Sequence, residues 1–145
     1  MCVNKQTMNE ITTVKDCIFH LLSKASRAGT RLWKQDVAEF GVTPVQAKVL
    51  AFLRELDNPT SVELGEVVSL DSATLTGILD RLENMELLSR KPHNEDRRSV
   101  IIVLTQQGQA LAEQLFEKVA PANKAFLKDL SREEAMMLRG ILKRL

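Results

Sequence analysis

The chain has 145 residues, 44% of them hydrophobic, and a net charge of only +1 at pH 7. That is one domain with enough apolar material for a core, and it is not a uniformly basic chain; any affinity for nucleic acid must come from where its charges sit. Two cysteines are too few for a disulfide framework, tyrosine is absent, and no apolar run nears the roughly 18 residues that span a bilayer.

The first ten residues, MCVNKQTMNE, lack the apolar region of a signal peptide, so a cytoplasmic location is expected. A first helix is predicted from about Thr12 to Phe40. Val14, Cys17, Ile18, Leu21, Leu22 and Ala25 form its apolar stripe, and Gly41 ends it. Thr43-Pro44-Val45-Gln46 has capping-box spacing with proline at the first helical position, opening a helix through about Leu56. Asp57-Asn58-Pro59 reads as a turn.

Thr60 and Glu63 form a second capping pair, followed by Leu64, Val67 and Val68 at helical spacing. Asp71 or Ser72 caps the next helix, whose apolar face carries Leu75, Ile78, Leu79, Leu82 and Met85. The opposite face carries Ala73, Thr76, Gly77, Asp80 and Asn84, with Thr74 and Arg81 on its flank. After Leu88 the periodicity changes. Ser89 to Lys91 and Val100 to Leu104 read as strands, with Pro92 to Ser99 as the turn between them. Gln106 to Ala120 is an amphipathic helix that Pro121 should interrupt or kink. Ser131-Arg132-Glu133-Glu134 caps a last helix carrying Leu138, Ile141, Leu142 and Leu145.

The order predicts a mainly α fold with a small two-stranded β wing, a winged helix-turn-helix. One helix suits a DNA major groove, and a basic loop beside it suits the adjacent minor groove. Ser72, Ala73, Thr74, Thr76 and Gly77 make the front of the reading helix small and polar, as close approach to base edges requires, and Arg81 follows. Arg90, Lys91, Arg97 and Arg98 gather the positive charge in and beside the wing.

Two runs make the pattern specific: LDSATLTGILDRLENMELLSR at 70–90 and DRRSVIIVLTQQG at 96–108. On these runs the chain resembles the MarR family of transcriptional regulators over nearly its whole length. That family's wing carries Asp-x-Arg, then a hydrophobic strand ending in Leu-Thr, then a helix with an early glycine. The corresponding residues are Asp96, Arg98, Leu104-Thr105 and Gly108. The resemblance implies that Arg98 enters the minor groove and Asp96 helps fix the wing. It also implies a homodimer, with helices 12–40 and 106–145 interlocked around a DNA-binding lobe at 43–105. Such a dimer would read an inverted-repeat operator in double-stranded DNA and act as a repressor released by a small-molecule effector. A pocket between the dimerisation helices and the lobe would take the effector, lined by residues such as His20, Trp33 and Phe52.

Rival readings attach to single residues. Some relatives in this family sense peroxide through a cysteine in the first helix, and Cys17 invites that comparison. Aligned by LLSKASR, Phe19 rather than Cys17 falls at the sensor position, and the tyrosines that hold the sensor thiolate are missing. The apolar stripe favours a structural cysteine. Trp33 also suits simple core packing, and His93, at the base of the wing, suits a phosphate contact. His20 and His93 have no partners at metal-ligand spacing, and no catalytic constellation appears, so no metal, cofactor or enzymatic activity is expected. Asp80 on the reading face would repel phosphate unless Arg81 or Arg97 pairs with it. It is the one feature favouring an interaction module that kept the fold without binding DNA.

Overall fold

A computed structural model describes residues 13–93 and 99–145. In chain order these form α1 (Ile18–Val37), α2 (Pro44–Glu55), α3 (Ser61–Val68), α4 (Ser72–Asn84), β1 (Leu88–Pro92), β2 (Val100–Leu104), α5 (Gln106–Phe126) and α6 (Arg132–Leu142). Short polar side chains set most of the helix starts, by holding amides that have no partner within the helix. Thr43 Oγ1 accepts from the Gln46 amide at 3.3 Å, and Gln46 Oε1 accepts in return from the Thr43 amide at 2.8 Å. The same reciprocal box closes over Thr60 and Glu63 and over Ser131 and Glu134. Asp71 is the cap of α4, accepting from the Thr74 amide at 2.9 Å.

Four expectations about element boundaries need correction. The first helix does not run from Thr12. Thr13 Oγ1 bonds the Asp16 carboxylate at 2.9 Å, Val14–Asp16 closes as a separate 3-10 turn, and Cys17 is extended, so α1 begins at Ile18. Pro121 does not interrupt α5, which continues to Phe126. Pro121 and Glu117 are both exposed, so water can serve the carbonyl that the missing proline N–H leaves free. Pro92 belongs to β1, paired with Val100 at the end of the ladder, where a missing donor costs least. Met85 is not in the apolar stripe of α4. It lies just past the helix and is 38% exposed.

The core is built by α2 to α5 and the sheet. Leu50, Leu64, Leu79, Leu82, Leu88, Ile102 and Leu115 are fully buried in it. The strands pair antiparallel with Leu88 opposite Leu104 and Arg90 opposite Ile102. The Ile102 amide also donates to the Pro59 carbonyl at 2.8 Å, which ties β2 to the turn before α3. Thr105 joins the wing to α5. Its amide donates to the Leu87 carbonyl at 3.1 Å, its hydroxyl donates to the Glu86 carbonyl at 2.7 Å, and that hydroxyl accepts from the Gly108 amide at 3.0 Å. Gly108 lets this contact close, because a Cβ there would stand 1.7 Å from the Leu87 oxygen.

Among the described residues, two ion pairs fasten α5 to the rest. Arg54 on α2 takes both carboxylate oxygens of Glu113 at 2.5 and 2.8 Å and lies 4.0 Å over the Phe116 ring. Lys118 reaches Glu39, after α1, at 2.7 Å. The termini are different. α1 buries only Val37, and α6 buries no residue. Val14, Ile18, Leu21 and Leu22 at one end, and Met136, Met137, Ile141, Leu142 and Leu145 at the other, are exposed. No helix among the described residues is long and apolar enough to cross a membrane.

Candidate nucleic-acid interface

α3 and α4 are joined by a turn in which Ser69 adopts the left-handed conformation, φ 55°. The Leu70 amide bonds the Gly65 carbonyl at 3.1 Å, closing the end of α3. The apolar face of α4 is buried through Leu75, Ile78, Leu79 and Leu82. Ser72, Ala73, Thr74, Thr76, Gly77, Asp80, Arg81 and Asn84 are therefore left exposed on one side. Gly77 has nothing within 4 Å of where a Cβ would stand, so packing inside this chain does not demand a glycine there. The Thr76 hydroxyl donates to the Ser72 carbonyl at 2.8 Å, leaving its methyl and lone pairs outward. At the N-terminus of α4, the Thr74 hydroxyl and amide both donate to Asp71 and hold its carboxyl below the usual aspartate range.

Asp80 is paired with Arg90 of β1 rather than with Arg81; the other expected partner, Arg97, lies outside the described residues. Arg90 Nη2 meets Asp80 at 2.7 Å and Nη1 meets Glu83 at 2.5 Å, while the Arg90 amide donates to Glu83 at 3.0 Å. Burial works against the Arg90 charge, but the bonds to Glu83 and Asp80 outweigh it and leave the guanidinium more firmly protonated. Arg90, an expected DNA contact, has its guanidinium against Asp80 and Glu83, which ties β1 to α4. Asp80 and Glu83 lie three residues apart on one helix face just before a basic strand. That was the available signal for this lock.

Lys91 is exposed on β1, and the His93 amide donates to the Ser99 carbonyl at 2.9 Å across the base of the wing. Bonds from the Thr60 amide and hydroxyl lower the Glu63 carboxyl below the usual range, and His93 adds a smaller effect. Asp96, Arg97 and Arg98 lie outside the described residues.

Behind the helix-turn-helix a cavity of about 410 Å³ opens between α1, α2 and α5. Trp33, Val45, Lys48, Phe52, Glu55 and Phe116 line it with four further residues. Trp33 also packs against the core, and its Nε1 donates to the Pro44 carbonyl at 3.3 Å. The expected pocket residues Trp33 and Phe52 thus meet. His20 does not join them: it is exposed and about thirteen residues earlier on α1, roughly 20 Å along the helix axis. Cys17 is a free, half-buried thiol beside the exposed apolar face of α1, away from the cavity lining. The described residues hold no group of three or more His, Cys, Asp or Glu placed for a metal.

Residues 42–100, which span the helix-turn-helix and reach into the wing, match the MarR family. The organic hydroperoxide resistance transcriptional regulator of Bacillus subtilis is 35% identical over 122 residues, 84% of this chain and 82% of that one. A mutant MarR from E. coli, crystallised in complex with operator DNA, superposes with a TM-score of 0.81 at 31% identity, covering 87% of this chain and 91% of that one. The PcaV transcriptional regulator of Streptomyces coelicolor, in complex with its natural ligand, gives 0.82 at 26% identity over 94% and 96% of the two chains. Fold, order of elements and identity over more than four-fifths of both chains agree, and the chain belongs to the MarR family.

Proposed function

We propose that this protein is a sequence-specific DNA-binding transcriptional regulator of the cytoplasm, a repressor that a small molecule releases from its operator. The observation that carries this is the outer face of α4, exposed, small at its N-terminal half and open at Gly77. Ser72, Ala73, Thr74, Thr76, Gly77 and Arg81 would meet the major groove, and Lys91, Arg97 and Arg98 the backbone and minor groove, with Asp96 fixing the wing. Arg90 supports that surface from behind. Because it neutralises Asp80, the feature that favoured a module without DNA binding carries little weight.

Residues 43–105 are the reading lobe in this proposal. Segments 12–40 and 106–145, with α1, α5 and α6, form the dimer, which would cover the apolar faces left open on α1 and α6. Two copies related by a two-fold axis read an inverted repeat. The cavity at Trp33 and Phe52 is the effector site, within the usual range for small ligands, about 300–1,000 Å³. A ligand there lowers DNA affinity by its preference for the state whose reading helices are wrongly spaced.

The test is selection of duplexes from a random pool, followed by footprinting with Gly77→Glu. The variant puts bulk and negative charge against bases and phosphates and should lose the footprint. A retained footprint would remove α4 from the groove. A second reading has support in the free thiol of Cys17 and the 35% identity to a hydroperoxide-resistance regulator. If peroxide releases the wild type from DNA and Cys17→Ser does not respond, the thiol reading replaces the ligand reading.

A further inference from the structure

Lys48 stands in two places at once. Its side chain lines the cavity, and its Nζ donates to the Val68 carbonyl at 2.6 Å. Val68 is the last residue of α3, where carbonyls have lost their partners in the helix and the negative end of the helix dipole gathers. The turn after α3 satisfies Glu66 and Gly65 through the Ser69 and Leu70 amides. The Val68 carbonyl is held from another helix, by Lys48. Val68 is 0% exposed, so water cannot readily replace the ammonium there. The next residues, Ser69 to Asp71, are the turn that aims α4.

The cavity has a polarity of its own. Its walls are mostly apolar and aromatic, with Lys48 and Glu55 as its charged residues. The two are seven residues apart on α2, about 10 Å along the helix axis. An anionic head is drawn to the Lys48 end and repelled from the Glu55 end. A neutral molecule of the same shape has no such preference.

We propose that Lys48 transmits occupancy of the cavity to the reading helix. A small organic monoanion, with its apolar body against Trp33 and Phe52, draws the Lys48 ammonium from the Val68 carbonyl. That leaves a buried acceptor unpaired at the end of α3 and loosens the turn before α4. The proposal rests on the effector-cavity reading above, and the probes separate the two.

Benzoate and benzamide have nearly the same shape and differ in charge. Trp33, the single tryptophan of the chain, reports occupancy by its fluorescence. Amide exchange at Leu70, whose N–H closes the end of α3, reports the turn. In the wild-type dimer, both probes should change Trp33 fluorescence at saturation. Only benzoate should speed Leu70 exchange, by about tenfold, as expected for loss of one charge-assisted hydrogen bond. Benzoate alone should weaken binding to the selected operator. In Lys48→Met, which keeps the stem and removes the ammonium, Leu70 should exchange fast without ligand and benzoate should add nothing.

Silence of Trp33 with both probes would remove the cavity reading and the proposal together. A Trp33 response with unchanged Leu70 exchange would overturn the proposal alone. So would slower exchange, which would mean that the ammonium bridges ligand and carbonyl. Slow Leu70 exchange in ligand-free Lys48→Met would equally refute the coupling.

Discussion

Gly108→Ala places a methyl group where the Leu87 carbonyl already stands. The new Cβ would lie 1.7 Å from the carbonyl oxygen and 2.8 Å from its carbon. Close carbon–oxygen contacts settle at about 3.3 Å, so the two backbone segments must part by roughly 1.6 Å. No flexible side chain can yield instead. Overpacking of this kind costs about 1–3 kcal/mol. The displacement also strains the three bonds around Thr105, to Leu87, Glu86 and Gly108, each worth about 0.5–1.5 kcal/mol net. A loss of about 3–5 kcal/mol is expected, a large share of the usual total of about 5–15 kcal/mol. Thermal and urea unfolding by circular dichroism, at one dimer concentration, should show the melting midpoint falling by roughly 10 °C or more. Gly77→Ala is the internal control. Its Cβ meets nothing within 4 Å in a helix interior, so it should raise stability by about 0.5–1 kcal/mol. If the two variants shift the midpoint in the same direction, or if Gly108→Ala loses under about 1 kcal/mol, the close-contact argument is wrong.

Arg98→Ala should weaken DNA binding by about 1–3 kcal/mol in an anisotropy titration at fixed salt, with the dimer still folded; unchanged affinity would take Arg98 out of the groove. Arg90→Gln should reduce operator affinity several-fold by uncovering Asp80 and Glu83 and freeing the wing angle. Adding Asp80→Asn and Glu83→Gln should recover part of that loss, and no recovery would mean that Arg90 touches DNA directly. Acid should also destabilise the caps. Asp71 and Glu63 are held below their ordinary values of 3.8 and 4.5, so the folded chain binds protons less readily than the unfolded one. Their contribution is therefore present above those values and disappears as pH falls through the lower folded ones. Asp71→Ala should show a shallower loss of stability than the wild type over that range, read by urea midpoints from about pH 5 downwards.

Local pairs were legible in the sequence, and distant ones were not. Thr43 with Gln46, Thr60 with Glu63 and Ser131 with Glu134 are three residues apart, so their bonds follow from helix geometry alone. The buried face of α4 follows from the same periodicity. The partner of Asp80 could not be named because it lies on β1, and strand placement depends on the turn at Glu86, φ 58°. The cavity draws one wall each from three helices, and sequence spacing does not show that Trp33 and Phe52 meet there while His20 lies on an exposed turn of α1. Pro121 misled because proline rules describe a helix without saying where its freed carbonyl finds water. Gly108 was read as part of a motif; the Leu87 oxygen beside it supplies the cause.

The clips that fasten α5, Arg54 to Glu113 and Lys118 to Glu39, are exposed ion pairs, and dissolved ions screen them. Salt therefore acts on this protein at two levels, opposing the release of counterions from the operator and slackening the frame that holds the reading lobe against α5. A plot of log affinity against log salt would then combine a phosphate count with a mechanical softening. Its slope should flatten when Arg54 and Glu113 are replaced by an uncharged, well-packed pair such as Met and Leu, although neither residue is placed at the DNA.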